Sequence, residues 1–89
     1  MFTLDDIENK VRDVVVYHLN ILIADYDKKG HLLNDFGADD LDLFEMAFKL
    51  EDYFEVDLTS ADLLDTVERP DDYIYLIEQQ LKSKEKNES

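Results

Sequence analysis

Apolar positions recur at helical spacing in three stretches of this chain, and those stretches predict its main elements. Leu4, Ile7, Val11, Val14, Val15 and Leu19 keep that spacing, which predicts a helix from about Leu4 into the low twenties. Thr3 is placed to cap it, Asp6 stands three residues on, and Phe2 and Ile7 are spaced for a hydrophobic staple. The run from Val14 to Ala24 is almost entirely apolar and rich in β-branched residues, so a strand is the local alternative. The clean periodicity before it favours the helix, and the run is too short to span a membrane.

The second stretch, Leu32 to Leu58, reads as a short approach, a glycine turn at Gly37, and a helix from Asp40 to Phe54. Asp39 and Asp40 occupy the N-cap and first turn, where carboxylates face the positive end of the helix dipole. At about 100° per residue, Leu43, Met46, Ala47, Leu50 and Phe54 form one apolar stripe, the expected core face. Leu41, Phe44 and Phe48 form a second stripe well away from the first, expected to be exposed. Asp42, Glu45, Lys49 and Asp52 fall between the two on the far side. Beyond an extended link, Ser60 is placed to cap a brief helix through Ala61, Asp62, Leu63 and Leu64. The last helix starts at Arg69-Pro70-Asp71-Asp72, with Pro70 at its first position and Ile74, Ile77 and Leu81 as its buried stripe. The pattern therefore predicts an all-α fold with one domain over residues 1–81 and a polar, disordered tail over 82–89.

Composition narrows the partners. Hydrophobic residues make up 45% of the chain, enough to argue against disorder although 36% of residues are charged. A net charge of -14 opposes nucleic acids and anionic membrane surfaces and favours proteins with basic patches. There is no cysteine, hence no disulfide framework, thiolate metal site or thiol nucleophile. Acidic residues follow Met1 almost at once, so no signal peptide is read, and a cytoplasmic monomer without membrane insertion is expected.

Candidate chemistry is sparse. Asp25, Asp27 and Gly30 fall on positions 1, 3 and 6 of an EF-hand loop, but Lys29 and Phe36 stand where calcium needs oxygen donors. An acidic turn is the better reading. His18 and His31 have no cysteine or second histidine at ligand spacing, so each reads as a packing or loop residue and no metal site is expected. Ser60, Ser83 and Ser89 lie far from the Gly37 turn, no glycine-rich phosphate loop is present, and no catalytic residues are assigned; an enzyme is not expected.

Gly37-Ala38-Asp39-Asp40-Leu41-Asp42, followed by Glu45, Leu50-Glu51-Asp52, Phe54 and later Thr66-Val67, resembles the signature of acyl carrier proteins. The likeness runs from the first helix to about Ile77. It implies an acyl-carrier-protein-like bundle of three main helices plus one short helix, in up-down order with a long first loop. It also implies a docking face of Asp39, Leu41, Asp42, Phe44, Glu45, Phe48, Glu51 and Asp52, meeting basic surfaces of acyl-metabolism enzymes, with Lys49 as a departure within it. A merely solvated acidic face is the competing reading.

The family's serine, which carries the 4'-phosphopantetheine arm, falls on Asp40, and a carboxylate cannot form that phosphodiester. No cofactor is therefore expected. The resemblance then implies a protein that docks in fatty-acid, polyketide or related acyl metabolism without carrying cargo. The alternative is a genuine acyl thioester carrier in an unmodifiable Ser→Asp form. Asp40 admits three origins: drift in a non-carrier paralogue, a carboxylate imitating the phosphate at a helix N-terminus, or a deliberate substitution. A calcium-sensing or structural acidic module is a third class.

The charge imbalance makes one prediction. Self-repulsion of 23 acidic residues against nine basic ones opposes the compact state, so thermal melts at neutral pH should rise with added salt. A flat or falling series would show that specific ion pairs dominate instead.

Overall fold

A computed structural model describes residues 2–59 and 62–87, with side chains described up to Ser83. Four α-helices follow in order: α1 (Leu4–Leu19), α2 (Asp40–Phe54), the short α3 (Leu63–Thr66) and α4 (Pro70–Asn87). No strand occurs among the described residues. The fold is thus an all-α bundle of three main helices and one short one.

The N-terminal cap forms as its sequence predicts. Asp6 N–H donates to the Thr3 hydroxyl at 3.1 Å, and Thr3 N–H donates to the Asp6 carboxylate at 2.9 Å. Ile7, Val11, Val14 and Val15 are buried, whereas Leu4 is exposed and Leu19 only partly covered. Phe2, at the staple position, sets its ring edge-on to Phe54 at 4.7 Å and beside Tyr53 at 5.7 Å. The helix does not reach the low twenties. Asn20 takes the left-handed conformation at φ 54° and its N–H donates to the Val16 carbonyl, closing α1. Asparagine tolerates that region, so the stop is encoded by one residue inside an apolar run. Leu22 is extended and Ile23–Asp25 form a 3-10 turn, so the strand alternative is not realised.

The chain between α1 and α2 is long but anchored. Leu32 is fully buried, its N–H donates to the Glu68 carbonyl at 2.8 Å, and its carbonyl accepts from Ala38 at 2.9 Å. Asp71 N–H donates to the Lys28 carbonyl at 2.9 Å, and the Arg69 guanidinium donates to the Lys29 carbonyl at 2.8 Å. The loop is thereby stitched to the start of α4. Asp27, in the calcium-like spacing, accepts from Lys29 N–H with its side chain and from Gly30 N–H with its carbonyl, which makes an ordinary acidic turn. Among the described residues, no group of three potential metal ligands converges. A Cβ at Gly30 would stand 2.7 Å from the Phe36 ring, so any side chain there would have to push that ring aside.

α1 packs on both α2 and α4, and α3 packs on α2. The inner stripe of α2 (Leu43, Met46, Ala47, Leu50 and Phe54) is buried throughout, together with Leu58, Leu63, Val67, Tyr73, Ile74 and Ile77. Tyr73 carries a side-chain polar link within this core: its hydroxyl donates to the Leu43 carbonyl at 2.6 Å. Burial pushes this phenol well up, so it stays a donor across the physiological range. α3 begins at Leu63 behind Asp62; Ser60 and Ala61, expected to open it, lie outside the described residues. Pro70 starts α4 as expected, and the Asp72 carboxylate accepts from Glu68 and Arg69 N–H groups at 2.8 and 2.9 Å. Residues 82–87 continue α4 where the sequence reading expects a tail; lysine and glutamate there are good helix formers and need no core to continue it.

Leu41 is 64% exposed and Phe48 52%, whereas Leu50 is fully enclosed. Leu50→Ala should therefore cost about 2–5 kcal/mol of stability and Leu41→Ala much less, read by chemical denaturation. Phe44→Ala should fall between them, because its ring is partly covered by the core. Equal losses for Leu41 and Leu50 would make the outer stripe part of the core.

Candidate functional site

The candidate site is the outward surface of α2, built from the turn that starts it. Gly37 has φ 74°, a conformation that glycine adopts without strain, and it swings the chain into the N-cap. Asp39 is that cap: its carboxylate accepts from Asp42 N–H at 2.8 Å, while the Asp42 carboxylate accepts from Asp39 N–H at 3.0 Å. Asp40 occupies the first helical position and is exposed. It presents a carboxylate where covalent loading needs an alcohol, and no serine or threonine lies between Leu32 and Leu58. The residues at this turn do not fit a phosphopantetheine arm.

The predicted exposed stripe is only partly exposed. Leu41 and Phe48 face solvent, but Phe44 is half-buried and packs against the core. At about 100° per residue, Phe44 is the member of the stripe nearest the buried face and Leu41 the farthest. The surface therefore offers two apolar side chains two turns apart, with Asp40, Asp52 and the partly exposed Glu45 on the same helix.

Several predicted partner-binding acids hold structure as well as charge. The Glu51 carboxylate accepts from the Leu58 N–H at 2.6 Å, the Thr59 N–H at 2.9 Å and the Thr59 hydroxyl at 3.1 Å. It fixes the link that leaves α2. Asp39 and Asp42 form the reciprocal cap, and Asp42 has a further partner that sequence reasoning missed. His18 Nε2 lies 3.0 Å from Asp42 Oδ1 and 3.7 Å from Glu45 Oε2, with its side chain only 10% exposed. Its Nδ1 lies 3.1 Å from Lys49 Nζ.

The chemistry of these partners fixes the proton on the imidazole. An ammonium only donates, so Nδ1 accepts; the Asp42 carboxylate only accepts, so Nε2–H donates. Both ring nitrogens are committed, which leaves no lone pair for a substrate. The same contact ties Lys49 to α1 beside Asp42 and Glu45, and its Nζ also lies 5.6 Å from the Tyr17 ring centroid. His18 and Asp42 are 24 residues apart in sequence, and only the antiparallel packing of α1 on α2 joins them. No spacing signal in the sequence encodes that pairing.

The Asp42 carboxyl is held below the usual carboxylate range, first by the Asp39 N–H; burial opposes this, and the His18 contact adds to the lowering. No protein-family model matches this chain. No helix among the described residues is long and apolar enough to cross a membrane.

Because the folded-state pKa of Asp42 is depressed, its contribution to stability is complete above the ordinary aspartate value of about 3.9 and is lost as pH falls through the lower folded value. Asp42→Asn should lower stability at neutral pH and flatten the acid limb. Denaturation midpoints of both proteins from neutral pH to about pH 3 would show this. Parallel acid limbs would mean that Asp42 carries no linked proton.

Proposed function

We propose that this chain is an acyl-carrier-like docking protein whose α2 surface engages basic partner proteins, without a prosthetic arm of its own. The observation that carries the reading is the pair Leu41 and Phe48, exposed on a helix whose neighbouring side chains are acidic. Isolated exposed apolar residues are common, but two on one helix face among carboxylates have the make-up of binding anchors with an electrostatic rim. The charge of -14 supports a basic partner and a fast, salt-sensitive encounter.

The placement in acyl metabolism rests on the resemblance of the Gly37–Asp42 turn and the helix after it to acyl carrier proteins, and the cytoplasmic, monomeric setting is carried over from the reading of composition and N-terminus. A binding module rather than an enzyme is the better reading of an imidazole with both nitrogens engaged. A second reading has a specific observation behind it. The Gly37 turn, the Asp39 cap and an exposed first helical residue are all present, so the chain is also compatible with a genuine carrier held in an unmodifiable form.

Incubation with coenzyme A and a broad-specificity phosphopantetheinyl transferase should leave the intact mass unchanged, because Asp40 has no hydroxyl to transfer to. Asp40→Ser should gain one phosphopantetheine if the turn is competent, which would favour the second reading. An arm on the unaltered chain would overturn both. For docking, Leu41→Ala or Phe48→Ala should weaken binding to a basic carrier-protein partner by about tenfold or more with little change in folding stability. Charge reversal at Glu45 should slow association and flatten its salt dependence. Unchanged association for all three variants would reject the docking face.

A further inference from the structure

Away from the outer stripe, α1 and α2 flank an open groove of about 580 Å³, within the usual size of small-ligand sites. Val14 contributes to its lining, and Tyr17 and Tyr53 wall it. Tyr17 is 83% exposed and Tyr53 50%, so two aromatic rings stand partly open beside one cleft. Lys10 and Lys49 stand over them, with Lys10 Nζ 4.2 Å from the Tyr53 centroid and Lys49 Nζ 5.6 Å from that of Tyr17.

The charge arrangement adds to the aromatic walls. Lys28, Arg12 and Lys82 each meet a carboxylate within 4.0 Å. Lys10 and Lys49 do not, and neither do Lys29 and Arg69, among the described residues; Lys10 and Lys49 are the two of these that line the groove. Of the two acids that line the groove, Asp13 is already paired with Arg12 at 3.1 Å. Asp52 remains as one uncompensated negative charge against two ammonium groups. The groove is thus a locally positive, aromatic-walled spot on a strongly negative molecule.

We propose that this groove binds a small aromatic monocarboxylate. Its ring would lie against the tyrosine faces, where offset or edge contacts are favourable, and its carboxylate would take the ammonium donors of Lys10 and Lys49. A neutral arene forfeits the charge-assisted bonds, and an arene bearing an ammonium meets two like charges. The surrounding field also limits the ligand. Beyond a screening length of about 8 Å the many acids of the chain are damped, so one small anion is admitted. A polyanion reaching past the groove would meet them directly and be repelled. This inference does not draw on the docking face.

The test is an amide NMR titration of the full chain with naphthoate, with naphthamide and naphthylmethylammonium as neutral and cationic comparators. Naphthoate should shift α1 and α2 resonances around Val14, Tyr17 and Tyr53 saturably and bind about tenfold or more tighter than either comparator. Lys10→Met with Lys49→Met should remove that preference while leaving naphthamide binding within about twofold. Lys28→Met, whose ammonium pairs with Glu8 at 2.6 Å, should change nothing. Tyr17→Ala, at an exposed position, should weaken naphthoate and naphthamide alike, and thermal melts should show each variant folded. Equal affinity for naphthoate and naphthamide, shifts confined to other surfaces, or a preference that survives loss of both lysines would overturn the proposal.

Discussion

Enclosure of the inner face of α2 is the constraint on which the rest of this molecule depends. α1 lies against that helix, α3 packs on it, and the Tyr73 hydroxyl of α4 reaches into its first turns to bond the Leu43 carbonyl. A chain with this much like charge gains little from its surface, so apolar burial must supply the cohesion. The buried set is contiguous from Ile7 to Ile77 and contains no charged side chain among the described residues. Once α2 is held this way, its opposite surface has nowhere to go but outward. The exposed pair Leu41 and Phe48 is the geometrical result of fixing Leu43, Met46, Leu50 and Phe54 inward.

Many of the acids are structural before they are electrostatic. Asp6, Asp39, Asp42 and Asp72 each accept a backbone N–H at or near a helix start, and Glu51 gathers three donors at a helix exit. Carboxylates in those places answer the unpaired donors that every helix start leaves open. The repulsion between acids is thus partly offset by the local bonds that these acids make. A protein can carry such a charge and still specify its helix boundaries.

Features set by near neighbours in the chain were the legible ones. The span Asp40–Phe54, its inner stripe, the Thr3 cap and the start of α4 at Pro70 all follow from spacings of a few residues, and the structure has them. The end of α1 was not legible, because Asn20 stops a helix inside a run that is otherwise apolar and periodic. The exposure of Phe44 was misjudged for a different reason. A helical wheel gives direction but not the reach of neighbouring elements, and Phe44 lies close enough to the core to be partly covered. The contacts of His18 with Asp42 and Lys49, and the groove walled by Tyr17 and Tyr53, arise only when two helices distant in sequence are laid side by side. At the Gly37 turn the lack of a hydroxyl at Asp40 was legible at once, since that chemistry depends on one functional group rather than on packing.

The two main helices that form the groove end without glycine. Asn20 closes α1 and Glu55 closes α2, each in the left-handed conformation, at φ 54° and 56°. For glutamate this geometry carries a local steric cost that glycine would avoid. The compensation lies in the denatured chain. With only two glycines in 89 residues, the unfolded ensemble has few freely rotating points and loses less conformational freedom when the helices assemble. Stability that cannot be traced to any contact in the folded molecule is thereby written into its helix ends.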